Sequence, residues 1–106
     1  MTIGEWLARR EPAPPRALAE RVLGLLAPYA GEDAARAADA CLDAGEALLL
    51  ELLRDGCASR QSALDLLAAD ALVTYAFEAA GADPSGLEER AHRAMVRISA
   101  LANVGA

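Results

Sequence analysis

The chain has 106 residues, a length that suits one domain of modest size. Its formal net charge of −6 disfavours binding to nucleic acid, because an acidic surface repels phosphate. No apolar run approaches the roughly 18 residues of a membrane-spanning helix, and no signal peptide is visible. We therefore expect a cytoplasmic protein whose two cysteines, Cys41 and Cys57, are free thiols.

Alanine makes up 27 of the 106 residues, and this strong helix former predicts an all-α fold. The pattern predicts a short N-terminal helix over residues 3–10 and longer helices over 16–27, 32–54 and 59–80. A last helix follows Ser85 and runs to about residue 103, with Ala91, Ala94, Met95 and Ile98 on its inner face. The connections are short, so we expect a compact antiparallel bundle of four main helices plus the short one. Residues 1–15 would be the short helix and a proline-rich joint, and residues 16–106 the bundle, within one helical domain.

The short first helix begins with a capping box formed by Thr2 and Glu5. A helix of two turns is not stable alone in water, so Trp6 must dock on a larger surface. That surface is either the chain's own bundle or another molecule, and the sequence leaves both open.

Gly45 lies on the apolar face of the helix predicted over residues 32–54. Glycine in a helix costs about 1 kcal/mol relative to alanine. A close approach of another helix would explain its presence. Leu50 projects to the opposite side of the same helix and could belong to a dimer interface.

The helix over residues 59–80 is apolar nearly all round, which is typical of a helix at the centre of a bundle. Its polar strip is Asp70, Thr74 and Glu78, spaced i, i+4 and i+8. This strip either meets water or faces a ligand in a cleft between helices. Arginines of the last helix (Arg90, Arg93 and Arg97) could pair with Glu78.

Residues 67–78, with the sequence LAADALVTYAFE, resemble one helix of the isoprenyl diphosphate synthases, whose pattern is LAGDALLTLAFE. The resemblance implies a helical bundle with an apolar cavity for an isoprenoid-like small molecule, edged by Asp70, Thr74 and Glu78. Those enzymes bind diphosphate through Mg²⁺ on two Asp-rich motifs, which this chain lacks. It would therefore be a non-catalytic relative.

Glu89 and His92 form an E-x-x-H pair within EERAHRAM, which resembles the ligand helix of ferritin-like proteins. Glutamate and histidine at i and i+3 on one helix can both reach a metal ion. His92 is the only histidine, so the resemblance implies a metal site formed across a dimer, with Glu78 as a bridging carboxylate.

No nucleophile is paired with a base in the sequence, and no phosphate-binding loop is present, so we expect neither an enzyme nor a cofactor. The central helix has two opposed apolar faces, and Trp6, Leu50 and Val96 add further apolar groups. We therefore expect a helical interaction or assembly module, either a homodimer or a small subunit of a larger complex, whose partner is a protein. Binding of an apolar small molecule is the main alternative.

Overall fold

The computed structural model describes residues 1–55, 59–82 and 87–104. Its fold is all-α, as the composition predicts, and 84% of it is helical. The helices are α1 (Ile3–Ala8), α2 (Arg16–Leu26), α3 (Ala37–Asp55), α4 (Arg60–Gly81) and α5 (Leu87–Val104), with 3₁₀ turns at Ala27–Tyr29 and Ala34–Arg36. Cys57 and Ser85 lie outside the described residues.

The N terminus is fixed to the segment that precedes α3. The backbone N–H groups of Ile3 and Gly4 donate to the carbonyls of Glu32 and Ala30, at 2.8 and 3.0 Å. The Ile3 side chain is fully buried. At the start of α1, the N–H of Glu5 donates to the Thr2 hydroxyl at 3.2 Å, which confirms the predicted N-cap.

The third predicted helix begins later than its sequence suggests. Asp33 accepts a hydrogen bond from the N–H of Ala35 at 2.8 Å and caps a 3₁₀ turn. The Glu32 carbonyl bonds to the N terminus, which uses an acceptor that a continuous helix would need. The prediction that this helix starts at residue 32 is therefore wrong, and α3 starts at Ala37.

Helices α3 and α4 make the most extensive helix–helix contact among the described residues. A methyl group added at Gly45 would lie 3.4 Å from both Leu72 Cβ and Val73 Cγ2 on α4. This confirms the close approach predicted from the glycine. Ala38, earlier on α3, lines the same groove as Ala80, later on α4, so the two helices run in opposite directions.

The core of the described residues lies where α2, α3 and α4 meet, and α1 covers one end of it. Its largest fully buried side chains are Ile3, Val22, Leu26, Cys41, Leu48 and Leu72. Asp65 on α4 is also buried, and its Oδ1 accepts from Arg21 Nε at 2.8 Å and from Gln61 Nε2 at 3.0 Å. These bonds satisfy a carboxylate that burial would otherwise destabilise.

In the part of the chain that the structure describes, no helix has the length and apolar character needed to cross a membrane.

Candidate functional site

An open apolar groove of about 410 Å³ lies between α3, α4 and α5. Small and apolar residues provide most of its lining. The lining residues are Ala38, Asp39 and Leu42 from α3, Ala76, Phe77 and Ala80 from α4, and Ala91, His92, Arg93, Ala94, Val96 and Arg97 from α5.

The groove follows from the alanine content of these helices. Ala38, Ala76 and Ala80 are buried, and each extends only one carbon from its backbone. Where three helices meet over such short side chains, the space between them stays partly unfilled. Leu42 is the largest buried side chain in the lining. The floor is therefore apolar and shallow.

Large apolar side chains beside the groove face water. Phe77 is 40% exposed, Val96 is 55% exposed, and Met95, next to the groove on α5, is 62% exposed. The prediction that Met95 lies on the inner face of the last helix is wrong, although Ala94 is buried as predicted. The outer surface of α5 thus carries apolar groups that the described chain does not cover.

One arginine fixes α5 to α3. Arg97 Nε donates to Glu46 Oε2, and its Nη2 donates to Asp43 Oδ1, both at 2.6 Å. The hydrogen bond with Glu46 is the main cause that raises the pKa of Arg97 above its ordinary value. Two charge-assisted hydrogen bonds from one guanidinium orient it more strictly than a single bond would.

Two charged residues of the groove lining have no ion-pair partner among the described residues. They are Arg93 on α5 and Asp39 on α3. The described ion pairs near the groove involve Arg97 instead.

The predicted polar strip lies away from this groove. Asp70, Thr74 and Glu78 are all exposed, and none of them lines it. Glu78 pairs with Arg10, which follows α1. The pairing of Glu78 with Arg97 that the sequence allowed is wrong, because Arg97 binds carboxylates of α3. The side chain of Arg90 lies outside the described ones.

Arg10 also joins an aromatic cluster on the opposite side of α4. Its guanidinium carbon lies 3.8 Å from the ring centroid of Tyr75 and 5.4 Å from that of Trp6. The two rings meet edge to face, with centroids 6.5 Å apart. Such contacts are favourable for an arginine that is largely withdrawn from water.

The three residues predicted for a dimer interface occupy different environments. Trp6 is half-buried and packs against the core of its own chain, which is one of the two surfaces open to it from sequence. Leu50 is also half-buried. Val96 is exposed beside the groove.

The residues predicted for a metal site are not brought together within one chain. Glu89 and His92 are exposed on α5, whereas Glu78 pairs with Arg10. Within the described ranges, no group of three histidine, cysteine, aspartate or glutamate side chains could hold a metal ion.

Cys41 is fully buried on α3. Burial raises the pKa of its thiol from 9.0 to about 12, and nearby Arg10 lowers it by a smaller amount. Because the thiolate is the reactive form, this cysteine is inert near neutral pH.

Sequence reasoning missed the groove and its floor. Ala76, Phe77 and Ala80 of α4 line it, and none of them belongs to the polar strip that the sequence singled out on this helix. The available signal was the pairing of alanine-rich faces on α3 and α4, which leaves little volume to fill the space beneath α5.

No protein-family model matches this chain. Comparison with curated proteins and with solved structures finds no match either.

Proposed function

We propose that this chain is a non-enzymatic assembly module that forms a homodimer through the outer surface of α5 and the adjoining edge of α4. We further propose that it does so as a compact antiparallel bundle of its four longer helices. The observation that carries the proposal is a set of three exposed apolar side chains at the groove: Phe77 and Val96 line it, and Met95 precedes Val96 on α5. Neighbouring apolar groups of this size on a small chain are typical of interaction sites.

The charges at this surface favour a second copy of the chain as the partner. A two-fold interface places the same surface on both sides, so residue i meets residue j and j meets i. Arg93 on α5 and Asp39 on α3 both line the groove and have no ion-pair partner among the described residues. In a two-fold contact, each could pair with its opposite in the other copy.

A stable interface would occupy a small part of the chain's total surface. A stable interface buries about 800 Å² per partner, which is roughly one-eighth of the 6569 Å² accessible surface of the described chain. Met95 and Val96 would form its apolar centre, and the charges of the groove rim would lie around them. This arrangement of apolar centre and polar rim is common in protein interfaces.

The proposal is tested with the double variant Met95→Arg/Val96→Arg. Two guanidinium groups at the centre of the interface would repel those of the second copy, so we expect a folded monomer. Leu67→Arg is the matched control, because Leu67 is an exposed leucine of α4 outside the groove. Molar mass is measured by light scattering, and folding by circular dichroism. A double variant that stays as oligomeric as the control would refute this interface.

Membership of a larger complex is the variant of this proposal in which the partner is another protein. If the wild type is a monomer and the Met95→Arg/Val96→Arg protein has the same molar mass, only association with another protein is left to pursue. The dimer remains the preferred form because Arg93 and Asp39 carry opposite charges. Two copies of this chain can therefore pair the arginine of one with the aspartate of the other.

A further inference from the structure

We propose that the groove between α3, α4 and α5 binds an uncharged, hydrocarbon-rich small molecule. This inference goes beyond the proposed homodimer and does not depend on it. The groove has a volume of about 410 Å³, which lies in the range of roughly 300–1,000 Å³ that is usual for small-molecule sites. The site differs from the one the sequence suggested, since it contains none of Asp70, Thr74 and Glu78.

The floor of the groove favours apolar ligands. Ala38, Ala76 and Ala80 present only methyl groups, and Leu42 adds an isobutyl group. A polar ligand group placed against them would lose its hydrogen bonds to water without replacement, which costs free energy. A hydrocarbon chain has no hydrogen bonds to lose there, and its transfer out of water is favourable, so the floor of the groove favours it. The ring of Phe77, exposed at the edge, can cover part of such a chain.

The charges around the groove disfavour an anionic head group. Arg97 already donates to Asp43 and Glu46, so its charge is compensated within the protein. With Arg93 and Asp39 included, two guanidinium groups lie among three carboxylates. The chain as a whole carries a net charge of −6. These five groups sum to a charge of −1, so a carboxylate or phosphate on the ligand gains no net attraction from them, whereas a hydroxyl is unaffected.

The test compares 1-decanol with decanoate, which share a ten-carbon skeleton and differ in charge. Binding is followed by ¹H–¹⁵N NMR of the full chain. We expect 1-decanol to shift the amide signals of Ala38, Ala76 and Ala80. We expect decanoate to bind about fivefold more weakly or worse, because of the surrounding carboxylates. Equal or tighter binding of decanoate would overturn the assignment to uncharged ligands.

Ala91→Leu tests the location, because Ala91 lines the groove and a leucine there would fill it. We expect about a tenfold loss of 1-decanol affinity. The matched control is Ala47→Leu, an exposed alanine of α3 outside the groove, which should bind as the wild type does. Equal losses in both variants would refute the location.

A second measurement does not depend on any variant folding. In the wild type, the methylene protons of 1-decanol should show nuclear Overhauser effects to the Leu42 methyl groups and the Phe77 ring. Their absence at saturating 1-decanol would overturn the proposal. The same titration on Met95→Arg, which changes the proposed interface but no residue of the groove lining, separates the two proposals. Loss of dimerisation with 1-decanol binding retained contradicts neither, and a wild-type monomer that binds 1-decanol refutes only the dimer.

Discussion

Gly45 on α3 and Gly24 on α2 allow a controlled test of how closely α3 and α4 pack. A side chain at Gly45 would enter the contact with α4, whereas nothing lies within 4 Å of a methyl group added at Gly24. Replacing each glycine in turn by alanine and by leucine therefore separates helix propensity from packing.

The structure sets the expected magnitudes. Gly24→Ala should raise the free energy of unfolding by about 1 kcal/mol, the difference in helix propensity. Gly45→Ala should gain a similar amount, because 3.4 Å from Leu72 Cβ and Val73 Cγ2 is ordinary contact. Gly45→Leu adds three further carbons where two side chains already lie at that distance. The overpacking costs roughly 1–3 kcal/mol, which cancels or exceeds the gain in propensity.

The assay is thermal unfolding followed by circular dichroism, with urea unfolding as a check. We expect the two leucine variants to differ by the overpacking cost of about 1–3 kcal/mol, which is roughly 4–24 °C in Tm for a domain of this size. Gly24→Leu should unfold above the wild-type temperature, and Gly45→Leu at or below it. Equal Tm values for the two leucine variants would refute the close α3–α4 contact.

Three further predictions concern single side chains. Because the pKa of the Cys41 thiol is raised, the folded state keeps the thiol proton above pH 9, whereas the unfolded state releases it. The free energy of unfolding should therefore fall above pH 9 by up to about 1.4 kcal/mol per pH unit. Cys41→Ala should reduce that slope in urea unfolding curves measured between pH 8 and 11. Arg97→Gln should remove the ion pairs that join α5 to α3 and lower the free energy of unfolding by about 1 kcal/mol. Hydrogen exchange should become faster mainly in α5. Exchange that rises equally throughout the chain would contradict a local role. Arg10→Gln should remove the contacts with Tyr75 and Glu78 and cost about 1 kcal/mol, with a red shift of Trp6 fluorescence, and an unchanged spectrum would contradict the cluster.

Much of the fold could be predicted from the sequence because local signals and tertiary structure agree. Thr2 indicated where the first helix starts, and its hydroxyl caps that helix. The alanine content indicated the all-α fold class, and Gly45 indicated a close contact between helices. The start of α3 could not be predicted, because the Glu32 carbonyl is taken by the N terminus, a pairing between segments far apart in the sequence.

The candidate site was harder to predict because it depends on how the helices are rotated and on what is missing between them. The exposure of Met95 depends on the position of α5, which Arg97 fixes through carboxylates on another helix. The ion pair of Asp65 likewise depends on a distant residue, since Arg21 lies 44 residues away in the chain. Periodicity finds the faces of a helix, and it does not identify which face stays uncovered.

We propose that the exposed apolar surface of α5 mediates self-association. Light scattering coupled to size exclusion, over about a hundredfold dilution of the wild-type chain, tests it most directly. We predict a molar mass of twice the 11.0 kDa of one chain, falling toward one chain only at the lowest concentrations. A mass of one chain at every concentration would contradict the claim.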